Sequence, residues 1–109
     1  MASLSNYLRT NRKKSALSQE EVAFLMGGIG ESKSSRISRY ESCSREPTLS
    51  AALAYEVIYG KSVRELFSGL YEQVEKDVAK RAKILSYRKR GLHSRRHELL
   101  IKLVSKVTA

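Results

Sequence analysis

Residues 34–43 read SSRISRYESC. Serines and arginines surround one isoleucine and one tyrosine three positions apart, and a helix of 3.6 residues per turn places Ile37 and Tyr40 on one side. Ser34, Ser35, Arg36 and Arg39 then turn outward. Side chains of these types hydrogen-bond to the edges of base pairs. Arginine donates two bonds to O6 and N7 of guanine, serine donates or accepts, and a bidentate contact discriminates between bases by about 1–3 kcal/mol. The stretch also has a plainer reading as a solvated basic helix face, and taken alone it does not choose between the two.

Other residues with chemical potential are less convincing. His93 and His97 stand four apart beside Glu98, a spacing found in some metal sites, but neither a cysteine nor a further carboxylate completes a ligand set. Chance spacing explains them better. The chain has no glycine-rich phosphate cradle and no nucleophile with a placed base, so neither an enzyme nor a bound cofactor is expected. Arg88, Lys89, Arg90, Arg95 and Arg96 cluster within nine positions. Such a cluster touches phosphates flanking a DNA site, meets acidic lipid, or solvates the tail.

The composition favours the first of these. Twenty-one Lys and Arg against eleven acids give a net charge of +10 on 109 residues, a surplus that calls for a polyanionic partner. Residues 1–70 carry ten basic and seven acidic side chains, residues 71–109 eleven and four. The second part is the more basic. No apolar run reaches the roughly 18 residues of a membrane span. The lone cysteine, Cys43, forms no internal disulfide, and no apolar stretch of signal-peptide length opens the chain, so a cytoplasmic, nucleoid-associated protein is expected.

One proline and few alternating β-branched runs predict an all-α protein. Helix one should run from Ser3 or Ser5 to Lys14 with Leu4 and Leu8 inside. In LSQEEVAFLMGG, Ser18 and Glu21 have capping-box spacing, Val22, Leu25 and Met26 offer an apolar face, and Gly27 or Gly28 ends the helix. The helix of the opening stretch follows. A fourth starts at Thr48, presents Leu49, Leu53 and Val57, and stops at Gly60. Ser62 and Glu65 repeat the capping box ahead of Val63, Leu66 and Phe67. Beyond Leu70, Val74, Val78, Ala82 or Arg81, and Leu85 mark a long amphipathic helix that Gly91 breaks. A second apolar stripe, Leu92, Leu99, Leu100, Leu103, Val104 and Val107, follows from His93 or Ser94.

The ordered pieces LRTNRKKSALSQEEVA, RISRYE, PTLSAAL and GKSVRELF resemble the phage repressor and Cro type of helix-turn-helix domain, the XRE family. The resemblance spans most of residues 4–67. It implies a compact five-helix, repressor-like bundle whose third helix lies in the major groove of double-stranded DNA. By register with RISRYE, it implies core positions for Ile37 and Tyr40 and base-reading positions for Ser34, Ser35, Arg36 and Arg39. It further implies phosphate contacts at Gln19, Ser42, Ser44 and Arg45, and a structural ion pair of Arg12 with Glu41. The connection from Gly27 to Ile37 is longer than the family's usual turn. Either helix three begins earlier, or the surplus, GIGESK, forms a flap around Gly28 and Gly30 that touches the DNA backbone through Lys33. Cys43 occupies the position where the family prefers a left-handed glycine; there it is either a redox sensor or, as lone thiols usually are, a small packing residue.

Two domains are expected: 1–69, the helix-turn-helix DNA-binding domain, and 70–109, a basic amphipathic helical tail for dimerisation or partner binding, whose apolar stripes either fold back on the bundle or, the favoured expectation, pair with the same stripes of a second chain. The function expected is that of a sequence-specific transcriptional regulator, a homodimeric repressor reading an inverted repeat. In the alternative, the tail binds a partner protein, as in an antitoxin or adaptor, and DNA binding is secondary.

Overall fold

The computed structural model describes residues 6–27, 33–88 and 94–108 and is all-α, with seven helices among them. In order these are α1 Leu8–Lys14, α2 Gln19–Leu25, α3 Lys33–Glu41, α4 Leu49–Tyr59, α5 Val63–Leu66, α6 Ser68–Arg88 and α7 Ser94–Thr108. The chain divides into two compact units, Met1–Leu70 and Tyr71–Ala109.

Several helix ends follow directly from local chemistry. Ser18 caps α2 by accepting the Glu21 N–H, while the Glu21 carboxylate accepts the Ser18 N–H, and Ser62 with Glu65 does the same for α5. Thr48 caps α4 through the Ala51 N–H. Gly27 at φ 82° follows the end of α2 and Gly60 at φ 65° closes α4, where a side chain would strain the backbone. In α1 the helical run begins at Leu8, later than Ser3 or Ser5. Tyr7 donates its N–H to the Leu66 carbonyl at 2.9 Å and Asn6 Oδ1 accepts the Leu8 N–H at 3.0 Å, so the chain is tied from outside the helix just where the turn would have to start. Leu4 lies outside the described residues, as do Gly91 and Leu92.

The core of the first unit is Leu8, Val22, Ala23, Ile37, Tyr40, Tyr55, Leu66 and Phe67. Tyr55, the largest of its fully buried side chains, meets Tyr40 edge-on at 6.2 Å and Phe67 edge-on at 6.3 Å, and stacks on Tyr59 at 5.8 Å. This aromatic group sets the rotation of α4. Leu49, Leu53 and Val57, the stripe expected inside, are 76%, 50% and 83% exposed, and Ala51, Ala52, Ile58 and Tyr59 pack inward instead. A ring as large as tyrosine buries more apolar surface than a leucine, so the face carrying Tyr55 wins. In α2, similarly, Ala23 takes the interior place expected of Leu25, which is exposed. Small Ala23 lets α2 lie close against α3.

In the second unit the buried side chains are Ala79, Ala82 and Leu100, with Leu103 and Val104 half-buried. Arg96 Nη2 donates to the Leu85 carbonyl at 3.3 Å, joining α7 to α6. Val74, Val78, Leu85 and Leu99, all expected on covered faces, are exposed.

The hydroxyls of Tyr55 and Tyr59 are buried without a hydrogen-bond partner. Burial, reinforced for both by the nearby Glu41 carboxylate, pushes the Tyr59 phenol up to about 12 and the Tyr55 phenol higher still. The folded chain therefore holds these protons more tightly than the unfolded chain, whose phenols titrate near 10. Stability should be intact below about pH 10 and fall as pH rises from there toward 12 and beyond. Paired phenolate absorbance and circular dichroism should show these two rings ionising only with unfolding, and the Tyr55→Phe, Tyr59→Phe protein should lose clearly less stability over that range.

Candidate nucleic-acid interface

α3 is only nine residues long, below the length at which a helix persists in water unaided. Its position is therefore imposed by its neighbours. Ile37 and Tyr40 are buried in the core. At its end, Arg12 of α1 donates from Nε to Glu41 Oε2 at 2.7 Å and from Nη2 to Glu41 Oε1 at 3.2 Å, and its Nη1 donates to the Leu17 carbonyl at 3.0 Å. The Glu41 side chain is 4% exposed. Gln19, first residue of α2, adds a bond from Nε2 to Glu41 Oε1 at 3.1 Å. One carboxylate thus holds three helices, and the hydrogen bond from Arg12 to it raises the guanidinium's pKa against the opposing effect of burial.

The turn after α3 is tied as firmly. Asn6 Nδ2 donates to the Tyr40 carbonyl at 2.9 Å and to Cys43 Sγ at 3.3 Å. Cys43 adopts φ 65°, the left-handed conformation that glycine takes more comfortably. Ser42 and Ser44 share a hydroxyl hydrogen bond at 3.1 Å and both reach the Arg39 carbonyl. Arg45 is exposed beyond them.

With Ile37 and Tyr40 fixed inward, Ser35, Ser38, Arg39 and Ser42 are the exposed residues of the helix and its end. Ser34 and Arg36, expected to point fully outward, are half-buried on its flanks. Arg36 borders a shallow depression of about 190 Å³ shared with Ala23, Met26, Thr48 and Ala51. Ser38, which sequence reasoning passed over, joins the outer face; its one-residue step from Ile37 was the available signal. The Gln19 amide is committed to Glu41, so a phosphate at the start of α2 would meet the remaining amide hydrogen and the helix's free N–H groups. The side chain of Lys33 and residues 28–32 of the lengthened connection lie outside the described residues.

A helix-turn-helix family model matches residues 8–66, just over half of the chain and the whole of α1 to α5. The chain belongs to the XRE-type helix-turn-helix family. That family consists of DNA-binding transcription regulators, and in it the second helix of the motif, here α3, is the one that enters the major groove. No curated protein and no solved structure gives a significant match to the chain. Among the described residues, no helix is long and apolar enough to cross a membrane, and no group of three His, Cys, Asp or Glu side chains is placed to hold a metal. His97 and Glu98 are exposed on α7, and His93 lies outside the described residues.

Of the basic cluster from Arg88 to Arg96, Arg95 is exposed and Arg96 is the half-buried donor to Leu85. Arg88 closes α6; Lys89 and Arg90 lie outside the described residues.

Glu41→Ala leaves the half-buried Arg12 without its carboxylate and should lower stability in urea unfolding by up to about 3–5 kcal/mol, the cost of stranding a fully buried charge. Cys43→Gly relieves the left-handed strain and should raise the urea midpoint, by up to about 1 kcal/mol of stability.

Proposed function

We propose that this chain is a sequence-specific transcriptional repressor that binds an inverted repeat as a dimer and reads it with α3. The observation that carries this reading is the division of α3. One side is locked by Ile37, Tyr40 and the Arg12–Glu41 tie, and the other presents Ser35, Arg39 and Ser38 with no apolar residue among them. A helix whose hydrogen-bonding side chains are held on a fixed frame can pair with base edges without first losing conformational freedom. Arg39 and Ser35 are assigned to base reading at the centre of the contact, with Ser34 and Arg36 on its borders. Ser42, Ser44, Arg45 and the start of α2 at Gln19 are assigned to phosphates, which fix register and carry no sequence information.

A second reading has its own support. Exposed Val74, Val78, Leu85 and Leu99 in the second unit are apolar surface without cover in the single chain, as in an antitoxin or adaptor that waits for a partner protein.

Selection from a random duplex library at about 150 mM salt, a concentration at which phosphate contacts alone bind weakly, tests the first reading. The wild type should enrich an inverted repeat, and Arg36→Ala, Arg39→Ala should lose it. Binding by both proteins that only fades with salt would leave the tail and a protein partner as the seat of function. Arg45→Ala should lower the salt slope of binding by about one unit and leave the selected sequence unchanged.

A further inference from the structure

Within the second unit, Tyr71, Val74, Val78 and Leu85 fall at spacings of three, four and seven along α6 and are all exposed. The spacing is that of a seam between paired helices, in which apolar residues recur every 3.5 positions on average. One seam position between Val78 and Leu85 is filled by Arg81, also exposed. Asp77, one turn before Arg81, is half-buried and accepts its hydrogen bond from Gln73 Nε2 at 3.1 Å.

The charges along this helix are sorted by sign. Residues 71–78 hold Glu72, Glu75 and Asp77 against Lys76; residues 79–88 hold Lys80, Arg81, Lys83 and Arg88 with no acid. A second copy laid parallel would set acid beside acid and base beside base. Laid antiparallel, each acidic half meets a basic half, and like-charge repulsion becomes attraction.

We propose that α6 pairs antiparallel with α6 of a second copy about a two-fold axis near Ala79. This deepens the dimeric reading above and rests on it. Around that axis Val74 meets Leu85 of the second copy, and Val78 lies beside Arg81 of the second copy. Asp77 and Arg81 stand on the same flank of the seam, and antiparallel helices bring matching flanks together. Each Asp77 therefore faces Arg81 of the other copy, and the ion pair is made twice. The arginine within the apolar seam acts as a selector: it meets Asp77 of the second copy in this orientation and the like-charged Arg81 in the parallel one. At 1.5 Å rise per residue, the two Ser68 ends lie roughly 33 Å apart along the paired helices, close to the single DNA turn that separates half-sites.

The test uses the full chain with Cys43→Ser, so that introduced cysteines stand alone. Val74→Cys and Leu85→Cys chains, refolded together and oxidised, should form a disulfide-linked dimer, whereas neither alone should. Crosslinking of each chain with itself would mean parallel pairing and overturn the proposal, as would a monomer in sedimentation at tens of micromolar of the unmodified chain. Arg81→Asp should raise the dimer dissociation constant at least about tenfold with unchanged helix content, and adding Asp77→Arg should restore most of it; no change with either would overturn the ion-pair assignment. The outcomes separate from those of the library selection. A monomer that still selects a half-site would defeat this pairing and leave DNA reading by α3 standing, while a crosslinked dimer that selects no sequence would do the reverse.

Discussion

The first unit depends on a single nearly buried carboxylate. Glu41 ends α3, receives two bonds from Arg12 of α1 and one from Gln19 of α2, and Arg12 reaches on to the Leu17 carbonyl between those helices. An apolar contact is tolerant of sliding, but three directional bonds to one side chain are not. The tie therefore defines the angle of α3 in a way that Ile37 and Tyr40 alone would not. Withdrawing a charge from water is costly, and apolar replacements of buried ion pairs often match them in stability. Its value lies in orientation, which a groove-reading helix needs more than added stability.

The short length of α3 makes the same point. Nine residues with serines at three positions form a poor isolated helix, since serine competes for its own backbone. Its shape is a property of the fold around it, borrowed from α1, α2 and the Asn6 side chain that holds the turn at Cys43. Sequence on the outer face is thereby freed from any duty to stabilise the helix. Its residues are available for chemistry.

Much of this was legible in the sequence because it is local. Capping boxes at Ser18 and Ser62, the Thr48 cap, and the glycines ending α2 and α4 are set by neighbours within a few positions. The core side of α3 was equally plain, since Ile37 and Tyr40 are the only large apolar residues there. What failed was the choice of face where nearly every residue is apolar. In LSAALAYEVIY periodicity has little contrast, and the decision fell to the packing of Tyr55 against Tyr40 and Phe67, residues brought together only by the fold. The start of α1 was hidden for the same reason, because the Tyr7 N–H just before it donates to the Leu66 carbonyl, a partner brought near only by the fold. At the interface, the general direction of the basic residues was readable, but the flank position of Arg36 and the outward position of Ser38 required the rotation of the helix to be known within a fraction of a turn.

The outer face of α3 is mostly serine, and this limits how far it can reach. A serine hydroxyl sits one bond beyond Cβ, so Ser35 and Ser38 touch base edges only if the helix backbone rides close to the groove floor. At that depth the long arm of Arg39 has no room to extend straight down and must run along the groove, toward a neighbouring base pair or a strand's phosphates. On the proposed reading, short and long side chains on one face together set the standoff between protein and duplex. A longer residue at Ser35 or Ser38 would act as a spacer, lifting the whole helix and withdrawing every other short contact with it.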